Sequence, residues 1–142
     1  VRVFMQAVES PFRVAKEIVD KMKDKARVII VDIHAEATSE KIALAYYLEG
    51  QVSAVLGTHT HVQTADEKIL PGGTAFISDA GMTGPFDGVI GRKKDQIIKR
   101  FLTQLPTKFE MAEGDIQLHG VIIEIDDKTG RAESIRRVQE KL

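Results

Sequence analysis

Three of the four histidines in this chain lie where two apolar segments end. His59 and His61 are one residue apart and follow the apolar residues 52–56, and His34 follows the apolar residues 28–31. Along a strand, side chains two residues apart lie on the same face, about 7 Å apart at their Cα atoms. If the two apolar segments are neighbouring strands, the three imidazoles meet at one edge of a sheet. Imidazole nitrogens bind divalent transition metals, so the pattern predicts a metal site.

The spacing of the histidines leaves the kind of metal site open. Three histidines can hold one zinc ion with a fourth position left for water. They can also divide between two ions held roughly 3.5–4 Å apart, as in two-metal hydrolytic sites. Alternatively, they are surface or hydrogen-bonded side chains that bind no metal. His119 is alone on a predicted strand and is interpreted as a structural residue.

Polar residues beside the histidines are candidates for orienting a ligand or binding phosphate. A histidine that binds a metal usually donates its second ring N–H to a carboxylate, a carbonyl or water. Asp32 and Glu36 flank His34 and could accept such a bond, although Glu36 could instead be a carboxylate favoured by a helix N-terminus. The predicted helix start at Thr38 could bind phosphate through its N–H groups, or Thr38 could be an N-cap without a ligand. The full candidate set is Asp32, Glu36, Thr38, Thr58 and Thr60.

The composition excludes several classes of protein. The chain has 142 residues, of which 43% are hydrophobic, a net charge of −1 and no cysteine. Disulfides and thiolate metal sites are therefore excluded, and the near-zero net charge gives no strong signal of nucleic-acid binding. No apolar run reaches the roughly 20 residues that cross a bilayer, and no secretory signal pattern is present. We therefore expect a cytoplasmic protein without a membrane partner.

Apolar periodicity predicts the elements that must position the histidines. In the first half these are strands over residues 1–5, 27–33 and 52–57 and two helices. Ser10 caps the first helix and Pro11 begins it, and Thr38 or Ser39 caps the second, which spans about 40–49. The apolar run in the strand over 27–33 is typical of burial on both faces. Alternating strands and helices of this kind favour parallel strands joined by right-handed crossovers.

The second half of the chain is predicted to be richer in strands joined by turns. Its elements are a hairpin over residues 67–78 with its turn at 71–73, a loop over 81–85, a helix over 90–102, and strands over 108–112, 117–125 and 132–138. No repeat, low-complexity tract or linker interrupts the chain, so residues 1–142 are interpreted as a single region.

Three long motifs resemble the YmdB-like metallophosphoesterases of the calcineurin-like superfamily. They are VDIHAEATSEK at residues 31–41, GTHTHVQTAD at 57–66 and DAGMTGP at 79–85, with VIG following at 89–91. The resemblance extends over nearly the whole chain. It implies an α/β fold, the C-terminal part of an α-β-β-α sandwich with mixed sheets flanked by helices. It also implies a phosphodiesterase that acts on small-molecule 2′,3′-cyclic nucleotides.

The resemblance further implies a site with two divalent metal ions, iron or manganese, with zinc as the alternative. His34 and His59 would bind one ion and His61 the other, and an activated water would attack phosphorus. The family takes its remaining ligands and a histidine proton donor from an N-terminal half. This chain has no asparagine, and its one Gly-Asp pair, Gly114-Asp115, follows the histidines. We therefore expect the C-terminal portion of a longer enzyme, with no catalytic proton donor of its own and little activity alone.

Two other functions are compatible with the sequence. One is a mononuclear metal hydrolase that uses the three histidines by themselves. The other is a non-enzymatic regulatory or assembly module with a degenerate phosphoesterase fold. An incomplete sandwich would also expose a strand edge and an apolar face, which predicts a homo-oligomer.

Overall fold

A computed structural model describes residues 9–142. In chain order its elements are α1 (Pro11–Met22), β1 (Ile30–His34), α2 (Thr38–Tyr47), β2 (Ala54–Thr58), β3 (Lys68–Ile69), β4 (Ala75–Ile77), β5 (Thr83–Pro85), α3 (Lys94–Thr103), β6 (Ile116–Ile125) and β7 (Ala132–Lys141). The strand predicted over residues 1–5 lies outside the described residues. Within residues 9–142, no helix is both long enough and apolar enough to cross a membrane.

The first sheet is mixed and has the strand order β1-β2-β4-β3. β1, β2 and β4 run parallel, and β3 pairs with β4 in the antiparallel direction, as the predicted hairpin requires. Ile30 pairs with Ala54 and His34 pairs with Thr58, so β1 and β2 end at the same edge of the sheet. The prediction that the two apolar segments are neighbouring strands is therefore confirmed.

The second sheet is antiparallel, with the order β5-β6-β7. The prediction of a loop over residues 81–85 was wrong, because residues 83–85 pair with the start of β6. The strand predicted over 108–112 was also wrong, since in that segment the structure has only an isolated bridge between Met111 and Arg92. The helix predicted from residue 90 begins at Lys94, because Val89 and Arg92 close a turn through two backbone hydrogen bonds of 2.8 and 3.0 Å.

Two apolar clusters hold the layers together. The larger lies between the first sheet and the helices α1 and α2, and the smaller lies between the two sheets. The buried members of the larger cluster are Val19, Ile29, Ile33, Leu44, Ala45, Leu48, Val52, Val55, Leu70 and Phe76; those of the smaller are Ala54, Ala75 and Ala132. The chain thus has the expected mixed α/β fold, with two sheets and flanking helices.

The prediction that the first buried strand is covered on both faces was wrong for β1. Ile30 lies on the same face as its neighbour Ala54, yet 54% of its surface is exposed, whereas Ala54 is fully buried. The second sheet covers β2 and β4 but does not extend over β1, which is at the edge of the first sheet in the described part of the chain.

The two helix starts differ in how well the sequence predicted them. Pro11 is the first residue of α1 as predicted, although the Ser10 side chain makes no capping hydrogen bond. α2 begins at Thr38, two residues earlier than expected, and the residue before it is Ala37. Thr38 and Ser39 therefore lie inside the helix, and neither is its N-cap.

Candidate metal centre

Two of the three predicted ligands are in direct contact at the carboxyl edge of the first sheet. His34 is the last residue of β1, and His59 is the first residue after β2. His34 Nε2 lies 3.1 Å from His59 Nδ1, and the ring centroids are 4.9 Å apart with 72° between the ring planes. Both residues are exposed, so an ion or a substrate can reach them from solvent.

A polar chain behind His34 determines which of its ring nitrogens carries the proton. Thr58 Oγ1 lies 3.0 Å from His34 Nδ1 and donates its own proton to Asp32 Oδ1 over 3.3 Å. Because the hydroxyl proton is directed to the carboxylate, the oxygen of Thr58 accepts from His34 Nδ1–H. His34 Nε2 therefore presents its lone pair toward His59. Histidines that bind metals are oriented by partners of this kind.

The spacing of the two imidazoles fits two ligands of one divalent ion. Two nitrogens bound at about 2.0–2.1 Å, at angles between octahedral and tetrahedral, lie about 2.9–3.4 Å apart. The observed distance between His34 Nε2 and His59 Nδ1 is 3.1 Å. With the His34 proton on Nδ1, His59 Nδ1 donates to His34 Nε2; a His59 ring that bound an ion through Nδ1 would carry its proton on Nε2 instead.

His61 is not part of this pair. It is exposed and lines a separate pocket of about 270 Å³ with Met82, Arg92 and Met111. Within residues 9–142, no three or more histidine, aspartate or glutamate side chains are grouped closely enough to hold a metal ion.

The expectation that His59 and His61 share one face of a strand was wrong. β2 ends at Thr58, and the two histidines lie in the loop that follows it. The backbone φ angle is 135° at His59 and 63° at His61, and both values turn the chain away from an extended path. The alternation of side chains along a strand therefore does not apply to this pair.

Of the remaining sequence candidates, Asp32 and Thr58 are hydrogen-bonded to or behind His34, and Glu36, Thr38 and Thr60 are not. Asp32 and Thr58 form the polar chain behind His34. Glu36 is exposed between β1 and α2, and Thr38 is the exposed first residue of that helix. Thr60 uses its hydroxyl in a local turn, where it donates to the Val62 carbonyl over 3.0 Å and accepts from the Val62 N–H over 3.3 Å.

Sequence reasoning missed a buried ion pair beside the histidine loop, which is the segment of residues 59–63 that follows β2. Lys41 Nζ lies 3.4 Å from Asp79 Oδ2, and both side chains are 1% exposed. Lys41 also donates to the Thr58 carbonyl over 3.1 Å. A signal for Lys41 was available, because it occupies the helix face formed with Leu44, Ala45 and Leu48, all of which are buried.

The environment of Asp79 keeps its carboxylate ionised. Burial by itself raises the pKa of Asp79, but the N–H groups of Thr60 and Gly81 and the charge of Lys41 outweigh burial, so the pKa lies below its usual value. The carboxylate oxygens accept from the Thr60 N–H over 2.7 Å and from the Gly81 N–H over 2.9 Å.

The sequence of this chain matches a known family. The profile of the family described as YmdB-like protein matches residues 1–138. A Bacillus subtilis protein named 2′,3′-cyclic-nucleotide 2′-phosphodiesterase is 53% identical over 137 residues, which cover 96% of this chain and 52% of that protein. The chain spans about half the length of the curated relatives it matches.

Two solved structures share the fold. A hypothetical protein from Thermus thermophilus superimposes with a TM-score of 0.87 at 41% identity, covering 99% of this chain and 54% of that one. A structure described as a novel phosphatase from Mycoplasma pneumoniae has the same TM-score of 0.87 at 38% identity, covering 96% of this chain and 48% of that one.

Proposed function

The chain belongs to the YmdB-like protein family, and from that membership we propose that it forms part of a metal-dependent phosphodiesterase that hydrolyses 2′,3′-cyclic nucleotides. The substrate class rests on the name of the Bacillus subtilis relative, which is 53% identical to this chain. The phosphatase from Mycoplasma pneumoniae, which has the same fold, supports the broader class of phosphoesterase.

The observation that carries the proposal is the contact between His34 and His59. Their facing nitrogens are 3.1 Å apart, a spacing that suits two ligands of one ion. We propose that these two residues bind one divalent ion, iron or manganese, and that His61 binds a second. Bound ions of this kind would lower the pKa of a water molecule toward neutrality and neutralise charge on the phosphate oxygens.

The residues of this chain have distinct roles in such a site. Thr58 holds the proton of His34 on Nδ1, and Asp32 in turn holds the hydroxyl of Thr58. The lone pair of His34 Nε2 thereby faces His59, and both rings are exposed at the sheet edge, where a phosphodiester can approach. A mononuclear site built from all three histidines has less support, because His61 is not grouped with the other two among the described residues.

Titration with metal ions tests the proposal directly. We expect isothermal calorimetry with MnCl2 to show binding to the wild-type chain, and His34→Ala or His59→Ala to weaken one binding event at least 10-fold. His61→Ala should weaken a different event. His119→Gln is the matched control, because His119 bonds to Gln117, packs against Phe86 and makes no hydrogen bond to His34 or His59.

An activity assay complements the titration. Hydrolysis of 2′,3′-cyclic AMP by this chain should be slow, should require added Mn²⁺ and should be lost in His34→Ala. Equal Mn²⁺ binding by the wild type and by a variant that lacks both His34 and His59 would refute the assignment of these ligands.

A further inference from the structure

The buried ion pair between Lys41 and Asp79 joins α2 to the ends of two strands. Lys41 reaches from α2 to the carbonyl of Thr58, the last residue of β2, at 3.1 Å. It also contacts the carboxylate of Asp79, two residues beyond the end of β4, at 3.4 Å. Both side chains are 1% exposed, so water does not weaken this interaction as it would at the surface.

The carboxylate of Asp79 holds the backbone of the histidine loop. Its Oδ2 accepts from the Thr60 N–H over 2.7 Å, and its Oδ1 accepts from the Gly81 N–H over 2.9 Å. Thr60 lies between His59 and His61, whose φ angles are 135° and 63°. Residues other than glycine rarely adopt such angles and keep them only where surrounding contacts enforce them. The bond from the Thr60 N–H to Asp79 is such a contact.

The sheet provides space for this arrangement at Gly57. A Cβ atom at that position would lie 2.7 Å from Lys41 Cδ and 2.0 Å from the Ser78 carbonyl oxygen. Gly57 therefore lets the aliphatic part of Lys41 pass beside β2 and lets the segment that ends at Asp79 approach closely.

We propose that Lys41 and Asp79 are positioning residues, which hold His59 and His61 in the orientation that metal binding requires. This inference rests on the proposed function, because it assigns the loop geometry to ligand placement. The alternative is a pair that only stabilises the fold. Breaking a buried ion pair by removing one partner is strongly destabilising, whereas removing both charges together is often tolerated, so stability and positioning can be separated.

The variants that separate them are Asp79→Ala alone and the double variant Lys41→Met/Asp79→Ala. The single variant leaves the Lys41 ammonium buried without its partner, and we expect it to lose stability or fail to fold. The double variant leaves no unpaired buried charge and keeps most of the volume of Lys41, so it should be more stable than the single variant. Both variants remove the acceptor of the Thr60 and Gly81 N–H groups, so the difference between them reports the unpaired charge. Asp66→Ala is the matched control, because the Asp66 carboxylate accepts from the Thr64 hydroxyl and the Ser78 N–H and makes no hydrogen bond to residues 59–63 or to Lys41.

Two measurements read out the position of the imidazoles. The first is the affinity for Mn²⁺ by calorimetry: we expect the double variant to bind at least 10-fold more weakly than the wild type, and Asp66→Ala to bind within 2-fold of it. The second uses the metal-free protein and records the ¹H–¹⁵N correlations of the imidazole rings. The His59 and His61 signals should shift in the double variant and stay unchanged in Asp66→Ala.

These measurements separate positioning of the imidazoles from stabilisation of the fold. If the double variant regains stability and also binds Mn²⁺ like the wild type, with unchanged ring signals, the pair is only structural and the inference is overturned. If the wild type binds no Mn²⁺, the proposed metal site fails, and the ring signals of the metal-free variants still decide whether the pair positions the loop.

Discussion

The tautomer of His34 is determined by residues that do not themselves face the candidate ion. Asp32 accepts from Thr58, and Thr58 accepts from His34 Nδ1–H. Since a neutral imidazole has one N–H and one lone pair, fixing the proton on Nδ1 leaves Nε2 available as a ligand. The candidate site therefore depends on Thr58 as much as on the histidine beside it.

The variant Thr58→Val tests this dependence. Valine has nearly the same shape as threonine but cannot accept from His34 Nδ1–H, so the ring loses its preferred tautomer and orientation. We expect the affinity for Mn²⁺ to fall about 10- to 100-fold. Calorimetric titration measures this change, with Thr103→Val as the control, because the Thr103 hydroxyl bonds to the Lys99 carbonyl within α3. An unchanged affinity in Thr58→Val would contradict the role given to its hydroxyl.

At the level of elements, the candidate site lies at the carboxyl end of β2. β2 lies between β1 and β4, and all three strands run parallel, so the segments that follow them converge at one edge. Gln63 attaches the end of the histidine loop to the second sheet, since its amide donates to the Gly120 carbonyl over 2.7 Å. The loop is thus bonded to both sheets, and Asp79 connects it to Lys41 of α2.

The variant Gly57→Ala tests how closely β2 must approach its neighbours. The added methyl group would lie 2.0 Å from the Ser78 carbonyl oxygen, a backbone atom that cannot move without displacing the strand end. We expect the free energy of unfolding to fall by about 1–3 kcal/mol or more.

Urea denaturation measures this loss, and Gly120→Ala is the matched control. A Cβ atom at Gly120, in β6, meets nothing within 4 Å, so the control should change stability by less than about 0.5 kcal/mol. Equal stability of the two variants would show that the close approach at Gly57 does not matter.

At the level of the whole molecule, the edge of the first sheet is apolar and open within the described residues 9–142. A groove of about 440 Å³ lies between α1 and β1 and is lined largely by apolar side chains. Ile18 and Ile30 are 50% and 54% exposed there, although large aliphatic side chains favour burial. Contiguous exposed apolar surface of this kind favours association with another protein surface.

We predict that the 142-residue chain self-associates through this groove. Size-exclusion chromatography with light scattering should give a mass above that of the 15.7 kDa monomer, increasing with concentration. The double variant Ile18→Glu/Ile30→Lys should shift the protein toward the monomer, because it introduces charge into the apolar contact. The exposed pair Ile98→Glu/Phe101→Lys on α3 is the control and should leave the mass unchanged. A wild-type protein that is monomeric at tens of micromolar would contradict the prediction.

Local patterns in the sequence predicted much of the fold. Pro11 at a helix start, the apolar segments that became β1 and β2, and the turn between β3 and β4 all follow from the preferences of short stretches of chain. The placement of His34 and His59 at neighbouring strand ends was also predictable, because parallel strands bring their carboxyl ends to one edge.

Only the tertiary structure decided which contacts and backbone angles the segments after those strands adopt. The Lys41–Asp79 contact joins residues 38 positions apart, and it depends on how α2 packs against β2 and β4. β5 forms because Pro85 pairs with Ile116, far along the chain, and the loop angles of His59 and His61 depend on the carboxylate of Asp79. Neither periodicity nor local propensity encodes such contacts, since their energy arises only when distant segments are already packed together.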